Sequence, residues 1–136
     1  MQVTRMFRPL LLLTFLAATA LMPQDKNPPG QHGYAYDQTR QQTFMGIVIE
    51  TKDYSCPVNG TVGSHITIKT DVANMEVHLA PASFMKRYEI MIRDGDRVSV
   101  VGSKIIFEGK PALIARSVTV GRDTFNFRDA KGTPLW

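Results

Sequence analysis

The sequence predicts an all-β fold with one short helix, and two patterns along the chain lead to this prediction. From about residue 41 to the end, apolar and polar residues mostly alternate, which is the period of half-buried strands. One segment, 81–88, breaks that alternation and has helical spacing instead. The 136 residues are 43% hydrophobic and 21% charged, which is typical of a folded domain. This composition excludes wholesale disorder, collagen, a coiled coil and a disulfide-dense mini-protein.

The first three strands make up the N-terminal part of this fold. The first is predicted over 43–51, a run rich in β-branched residues in which Gly46 permits a bend or bulge. A loop is expected over 53–60, because this stretch contains a proline and an Asn-Gly pair. The second and third strands, 65–70 and 75–79, alternate cleanly and are separated by few residues, so they are predicted to form a hairpin.

The helix and the later strands complete the element order. Proline at the start of 81–88 suits a first helical turn, and Phe84 and Tyr88 lie four residues apart on one helical face. We therefore expect a short helix of about two turns in this segment. The remaining strands are predicted over 97–107, 112–120 and, as a short last strand, 124–127. The first of these is expected to bend at Gly102.

The order strand, strand, strand, short helix, strand, strand resembles the OB-fold, a five-stranded Greek-key barrel with its helix between strands three and four. The resemblance covers about residues 41–120, and its most specific motif is GDRVSVVG at 95–102. The motifs EVHLAP at 76–81 and RDAKGTPLW at 128–136 are similar to those of small exported bacterial OB-fold proteins. The resemblance implies an OB-fold-like barrel over 41–136, with a split barrel or a small sandwich as alternatives.

Residues 1–20 are typical of a secretory signal peptide. Arg5 and Arg8 provide a positive start, a mostly apolar run follows over 10–22, and a small-x-small cleavage site ends at Ala20. A membrane-spanning helix needs about 20 apolar residues, and this run is shorter. We therefore expect export to the periplasm or the extracellular space, with cleavage near Ala20 and no membrane span afterwards. A retained, uncleaved anchor is the alternative.

Removal of the signal peptide changes the charge of the chain. The full sequence has 16 Lys and Arg residues against 12 Asp and Glu residues, for a net charge of +4. Residues 1–20 contain two of the arginines and no acid, so the mature chain keeps 14 cations against 12 acids, a net charge of +2. This excess is too small to indicate a polyanionic partner by itself. Residues 21–40 are rich in proline and glycine and are predicted to form a flexible tether.

The sequence contains a single cysteine, Cys56, which in an oxidising compartment would have no internal disulfide partner. No CxxC motif occurs, which excludes CxxCH haem attachment, a zinc knuckle and thioredoxin-type chemistry. The favoured interpretation is a half-buried small apolar residue in the loop before Pro57. An intermolecular disulfide or a reactive thiol is the alternative.

The hairpin register brings two histidines together. Inward residues have even numbers in the second strand and odd numbers in the third, so residues that lie opposite each other have numbers with an odd sum. A tight turn near 71–73 makes that sum 143, with His65 directly opposite His78, or 145, with the two as diagonal neighbours. Both imidazoles are expected to face solvent, away from the core. The other candidate ligand-binding residues of this face are Thr67, Lys69 and Glu76.

These residues predict a non-enzymatic binding or interaction module that uses the face of strands two and three to hold a protein or a small ligand. One alternative is a metal carrier in which His65 and His78 share a divalent ion, with Glu76 as a possible third ligand. No cofactor is indicated. Enzymatic motifs of the Walker, GxGxxG, GxSxG and HExxH types do not occur in the sequence, so catalysis is not expected.

The second alternative is binding of single-stranded nucleic acid, which the OB-fold resemblance implies for the groove around strands two and three. Such binding uses a basic groove and exposed aromatic platforms. The candidate face instead pairs Lys69 with Glu76 and has no aromatic residue of its own. A basic cluster around the helix is interleaved with acids, and it consists of Lys86, Arg87, Arg93 and Arg97. We therefore rank nucleic-acid binding below the protein or small-ligand module and above the metal carrier.

Overall fold

The computed structural model describes residues 34–136, and its main feature is a single six-stranded sheet. The strands are β1 (Gln41–Cys56), β2 (Thr61–Lys69), β3 (Asn74–Pro81), β4 (Arg97–Phe107), β5 (Lys110–Val120) and β6 (Asp123–Asn126). One short helix, α1 (Ala82–Arg87), connects β3 to β4, and a single 3₁₀ turn (Gln38–Arg40) precedes β1. In the described part of the chain no helix is long and apolar enough to cross a membrane.

The sheet closes on itself. The strands are ordered β3-β2-β1-β4-β5-β6, and β3 also pairs with β5 in parallel, which joins the first five strands into a ring. Short β6 extends the sheet by pairing with β5. Closure of this kind removes the free edges that would otherwise expose unpaired backbone groups. The prediction of an all-β, barrel-like fold with a short helix between the third and fourth strands is confirmed.

β1 is longer than the sequence pattern predicted. It was expected to end at residue 51, and residues 53–56 were expected to form a loop, but the strand continues to Cys56. This length is possible because β1 has two partners in succession. Its first half pairs with β4 and its second half with β2, with a register shift between Val48 and Glu50. The second half therefore brings Tyr54 and Cys56 alongside β2.

The hairpin of β2 and β3 has the tighter of the two predicted registers. His65 lies directly opposite His78, and Ile66 lies opposite Val77, so the numbers of facing residues sum to 143. The turn is closed at Thr70, whose backbone N–H and hydroxyl both donate to the carbonyl oxygen of Ala73. This part of the sequence prediction is confirmed.

Two apolar clusters lie on opposite faces of the sheet. The larger one fills the interior of the ring and includes Ile66, Val77 and Leu113. The smaller one lies outside the ring and is built on Phe107 and Ile114. Because successive side chains of a strand point to opposite faces, residues adjacent to those of the interior belong to this outer cluster. The partly buried side chains packed on the outer cluster are Tyr34, Tyr36, Tyr54 and Val58.

Residues 34–40, which were assigned to the predicted tether, pack against the barrel. The backbone N–H of Asp37 donates to the Ser103 hydroxyl at 3.1 Å, and the Tyr36 hydroxyl donates to Gln41 Oε1 at 2.6 Å. The folded body therefore starts before the predicted boundary at residue 41. The predicted signal peptide, its cleavage near Ala20 and the remainder of the tether lie outside the described residues.

Candidate metal centre

The two histidines of the β2–β3 hairpin are buried, with 1% of His65 and 0% of His78 exposed. The expectation that both imidazoles face solvent is therefore wrong. They do point away from the interior of the ring, as the alternation required, but the outer face is covered at this place. The covering side chains come from β1 and β4, which the local pattern of the hairpin does not reveal.

Aromatic rings seal the two imidazoles. The ring of Tyr54 stacks on His65, with centroids 3.8 Å apart and an angle of 13° between the planes. The ring of Phe107, the last residue of β4, meets His78 edge to face with centroids 4.5 Å apart. The imidazoles themselves are nearly perpendicular, at 87°, with centroids 4.7 Å apart. The pair thus sits in an aromatic enclosure.

Cys56 completes a cluster of three metal-ligating side chains. Its sulfur lies 3.3 Å from His78 Nδ1, and the residue is only 2% exposed. One ligand atom from each of Cys56, His65 and His78 lies within 4.8 Å of the other two. The sequence prediction placed Cys56 in a loop, without connection to the histidines. Cys56 is instead the last residue of β1, opposite Thr61.

Several polar atoms around the cluster have no partner. Within residues 34–136, the buried Nδ1 and Nε2 of His65 and Nε2 of His78 meet no group in hydrogen-bond geometry, and neither does the side-chain amide of Asn59. Buried polar atoms without partners are rare because each costs about 1–3 kcal/mol. A Cβ placed on Gly63 would lie 2.5 Å from Asn59 Nδ2 and 3.2 Å from His65 Cε1. The side chains of Asn59 and His65 therefore both lie close to Gly63.

The environment favours the neutral forms of the cluster's side chains. Burial, followed by the neighbouring His65, lowers the pKa of His78 to about 4, and burial likewise lowers the pKa of His65. Burial raises the pKa of the Cys56 thiol, although the backbone N–H groups of Asn59 and Val58 act in the opposite direction on its sulfur. Neutral imidazoles present lone pairs to a metal, and the two N–H groups stabilise a thiolate once a metal binds.

The other predicted binding residues do not join the cluster. The carboxylate of Glu76 accepts a hydrogen bond from the Tyr54 hydroxyl, so Cys56 and not Glu76 is the third donor beside the histidines. Thr67 donates to Glu50 Oε2 at 3.3 Å, and Lys69 is exposed. A groove of about 320 Å³ lies on this side of the sheet, with Thr67 and Glu76 among its lining residues.

The histidine pair could be predicted from sequence, but the thiol could not. Hairpin alternation is a local pattern, and it was sufficient to place His65 opposite His78. The signal for Cys56 was its spacing of two from Tyr54, which puts both on one face of a strand. That signal was obscured because Pro57 and the Asn-Gly pair that follows favoured a loop.

Comparison with known families corrects the resemblance drawn from the sequence. A family model described as the MamS/MamX magnetosome protein family matches residues 40–125, a range that contains all three cluster residues. No curated protein matches the chain. The family found is not an OB-fold family, so the resemblance to small exported bacterial OB-fold proteins was wrong as an assignment of family. Its element order and glycine turns are features that unrelated barrels can share.

Proposed function

This chain belongs to the MamS/MamX magnetosome protein family, and we propose that it is a non-enzymatic, magnetosome-associated protein that binds a metal ion. The observation that carries the proposal is the buried convergence of one thiol and two imidazoles, in which neither nitrogen of His65 nor Nε2 of His78 makes a hydrogen bond of good geometry with a described residue. The backbone of Lys52 acts on His65 only through a weaker contact. The site is the outward side of β2 and β3, the face that the sequence singled out. Its ligand is an ion and not a second protein.

The spacing of the three donors fits one metal ion. Metal–sulfur bonds of about 2.3 Å and metal–nitrogen bonds of about 2.0 Å put neighbouring donors about 3.3–3.8 Å apart. The distance between Cys56 Sγ and His78 Nδ1, 3.3 Å, already lies in this range. The third donor, from His65, lies within 4.8 Å of both, so a side-chain shift of about 1 Å completes the set.

The donor types restrict the kind of metal. Thiolate and imidazole together suit copper and zinc best, and imidazole also suits iron and nickel, whereas calcium and magnesium take oxygen ligands. Coordination would also give His65 the partner that its nitrogens lack, which offsets part of the cost of burying them. Metal binding thus accounts for the composition of the cluster and for one unpartnered nitrogen of His65.

Two further expectations from the sequence belong to the same proposal. The protein is exported, because residues 1–20 have the composition of a signal peptide. We also propose that it is not an enzyme, because motifs of the Walker, GxGxxG, GxSxG and HExxH types do not occur in the sequence. Nucleic-acid binding has less support, since the rings of Tyr54 and Phe107 pack on histidines and are not free platforms for bases.

Metal content of purified variants tests this function. The protein is stripped of metal, equilibrated with Zn²⁺ or, without oxygen, with Cu⁺, and analysed for bound metal after gel filtration. We expect about one equivalent of at least one of these ions per chain, and loss of this binding in Cys56→Ser and His78→Gln.

The matched control is Thr67→Ala, which removes a polar side chain from the same face of β2 outside the cluster. This variant should keep the full metal content. Circular dichroism establishes that each variant is folded before its metal content is compared. Binding of neither ion by the wild type, or equal binding by the wild type and Cys56→Ser, contradicts the proposed function.

A further inference from the structure

We infer that the ion held by Cys56, His65 and His78 is monovalent copper, an inference that rests on the proposed metal-binding function. Three properties of the cluster lead to Cu⁺: the number of donors, the net charge of the enclosed group and the softness of the sulfur ligand. Each is visible in the arrangement of the described side chains.

The number of donors matches an ion that accepts three ligands. Within residues 34–136, no fourth side chain with a thiol, an imidazole or a carboxylate joins Cys56, His65 and His78. The nearest acid, Glu76, is held by the Tyr54 hydroxyl instead. Structural zinc sites are closed by four protein ligands, and catalytic ones keep an open position for water. The described residues supply three donors, which matches an ion that accepts three ligands.

The charge of the enclosed group favours a monovalent ion. A Cys56 thiolate with two neutral imidazoles carries one negative charge, so Cu⁺ makes the buried group neutral. A divalent ion would leave one uncompensated positive charge among residues that are at most 2% exposed, and isolated buried charges are costly. The ammonium group of Lys52 lies 5.5 Å from the centre of the Tyr54 ring and adds positive potential at the same side.

Two acids act on the enclosed group, Asp53 on His65 alone and Glu76 more widely. The carboxylate of Glu76 acts electrostatically on both histidines and on Cys56, although it is not a ligand. It is half-buried and borders the groove, where solvent weakens its influence on the enclosed ion. A divalent ion therefore depends on the charge of Glu76 more strongly than Cu⁺ does.

The softness of the ligands points to the same element. Thiolate sulfur selects Cu⁺, zinc and iron–sulfur clusters among biological metal centres. A trigonal set of two histidines and one cysteine is characteristic of copper in either oxidation state, so the softness of the ligands indicates the element and the charge indicates Cu⁺. His65 also borders a cavity. This cavity of about 690 Å³ lies between the β1–β2 ladder and the segment after α1 and includes His65 and Ser64 in its wall.

A competition experiment tests the inference on the intact protein. Metal-free protein is titrated without oxygen with Cu⁺ supplied as its coloured bicinchoninate complex, and transfer is followed by the loss of colour. We expect one Cu⁺ per chain, retained against a tenfold excess of Zn²⁺. Cys56→Ser should weaken Cu⁺ binding by more than the about 10- to 100-fold typical of losing an outer-shell partner. Glu76→Gln should lower the affinity for Zn²⁺ more than the affinity for Cu⁺.

X-ray absorption of the loaded wild-type protein removes any dependence on the folding of variants. One sulfur and two nitrogen ligands around a three-coordinate copper support the inference. Displacement of copper by Zn²⁺, or a loss of affinity in Glu76→Gln that is larger for Cu⁺ than for Zn²⁺, overturns the copper assignment while leaving the metal-binding function in place. If neither ion binds, the copper assignment and the proposed function both fail.

Discussion

At the scale of single residues, Tyr54 makes two separable contributions to the cluster. Its ring stacks on His65 and screens it from solvent, while its hydroxyl donates to the Glu76 carboxylate. Burial, together with the carboxylate beside it, raises the pKa of the Tyr54 hydroxyl, so the group remains a hydrogen-bond donor at neutral pH. One residue therefore covers His65 and binds the Glu76 carboxylate.

Substitution of Tyr54 separates these two contributions. Tyr54→Phe keeps the ring and removes the hydrogen bond, which should lower the free energy of unfolding by about 0.5–1.5 kcal/mol and leave metal release unchanged. Tyr54→Ala removes the screen as well and should speed the removal of metal by a chelator in stopped-flow measurements. Equal release rates in the wild type, Tyr54→Phe and Tyr54→Ala would contradict the role of the ring as a cover.

The pairing of the two histidines is determined by local sequence, whereas their burial is not. Facing positions in a hairpin follow from alternation and turn length alone, so His65 and His78 could be paired from the sequence. Their burial could not be predicted, because it depends on Tyr54 and Phe107, which reach them from strands elsewhere in the chain. Pairing is a local property, whereas covering is a property of the closed sheet.

At the scale of elements, the turn that follows β6 depends on a carboxylate. Asp129 Oδ1 accepts hydrogen bonds from the backbone N–H groups of Lys131 and Thr133. These bonds, first that of Thr133, lower the pKa of Asp129 below its usual value of 3.8. A carboxyl whose pKa is lower in the folded than in the unfolded state stabilises the fold above the unfolded pKa. That contribution disappears as the pH falls through the folded value.

The turn therefore predicts a pH-dependent effect of substitution. Asp129→Ala should lower the melting temperature at pH 7, and the difference from the wild type should shrink as the pH drops below 3.8. Differential scanning calorimetry at pH 7 and at pH 3 measures this. Asp129→Asn is the control, since its amide oxygen can still accept both N–H groups without titrating. A difference between wild type and Asp129→Ala that does not depend on pH would refute this account.

Element boundaries were predicted well where burial alternates and poorly where it does not. β4 was assigned its observed limits, and the bend expected at Gly102 coincides with a register shift against β5. A Cβ on Gly102 would lie 2.7 Å from the carbonyl oxygen of Ile114, so the close approach itself requires glycine. The end of β1 was missed because residues 51–55 are mostly exposed and carry no alternating apolar signal.

At the scale of the whole molecule, the two ends of the described chain meet beside the barrel. The Tyr36 ring packs on the backbone at Gly132, where a Cβ would clash with it, and the guanidinium of Arg128 lies 5.8 Å from its centre. The Tyr36 hydroxyl donates to Gln41 Oε1 at the start of β1. Tyr36 thus connects the N-terminal segment, the first strand and the C-terminal turn.

Loss of this contact should be measurable as a loss of global stability. Tyr36→Ala is expected to reduce the free energy of unfolding by about 1–3 kcal/mol, because a partly buried aromatic surface is lost. Tyr36→Phe should cost less, about 0.5–1.5 kcal/mol, since only the hydrogen bond is removed. Urea denaturation followed by circular dichroism gives both values. If Tyr36→Ala unfolds at the wild-type urea concentration, the segment does not contribute to the fold.

The distribution of the three ligands over three consecutive strands has a consequence for folding. Cys56, His65 and His78 lie on β1, β2 and β3, and β1 and β3 are not hydrogen-bonded to each other. An ion bound to all three is therefore a removable cross-link that spans the intervening strand. Because it binds only the assembled hairpins, its free concentration adds directly to their stability through mass action. If the proposed metal binds, the stability of this side of the barrel would rise with the concentration of free metal.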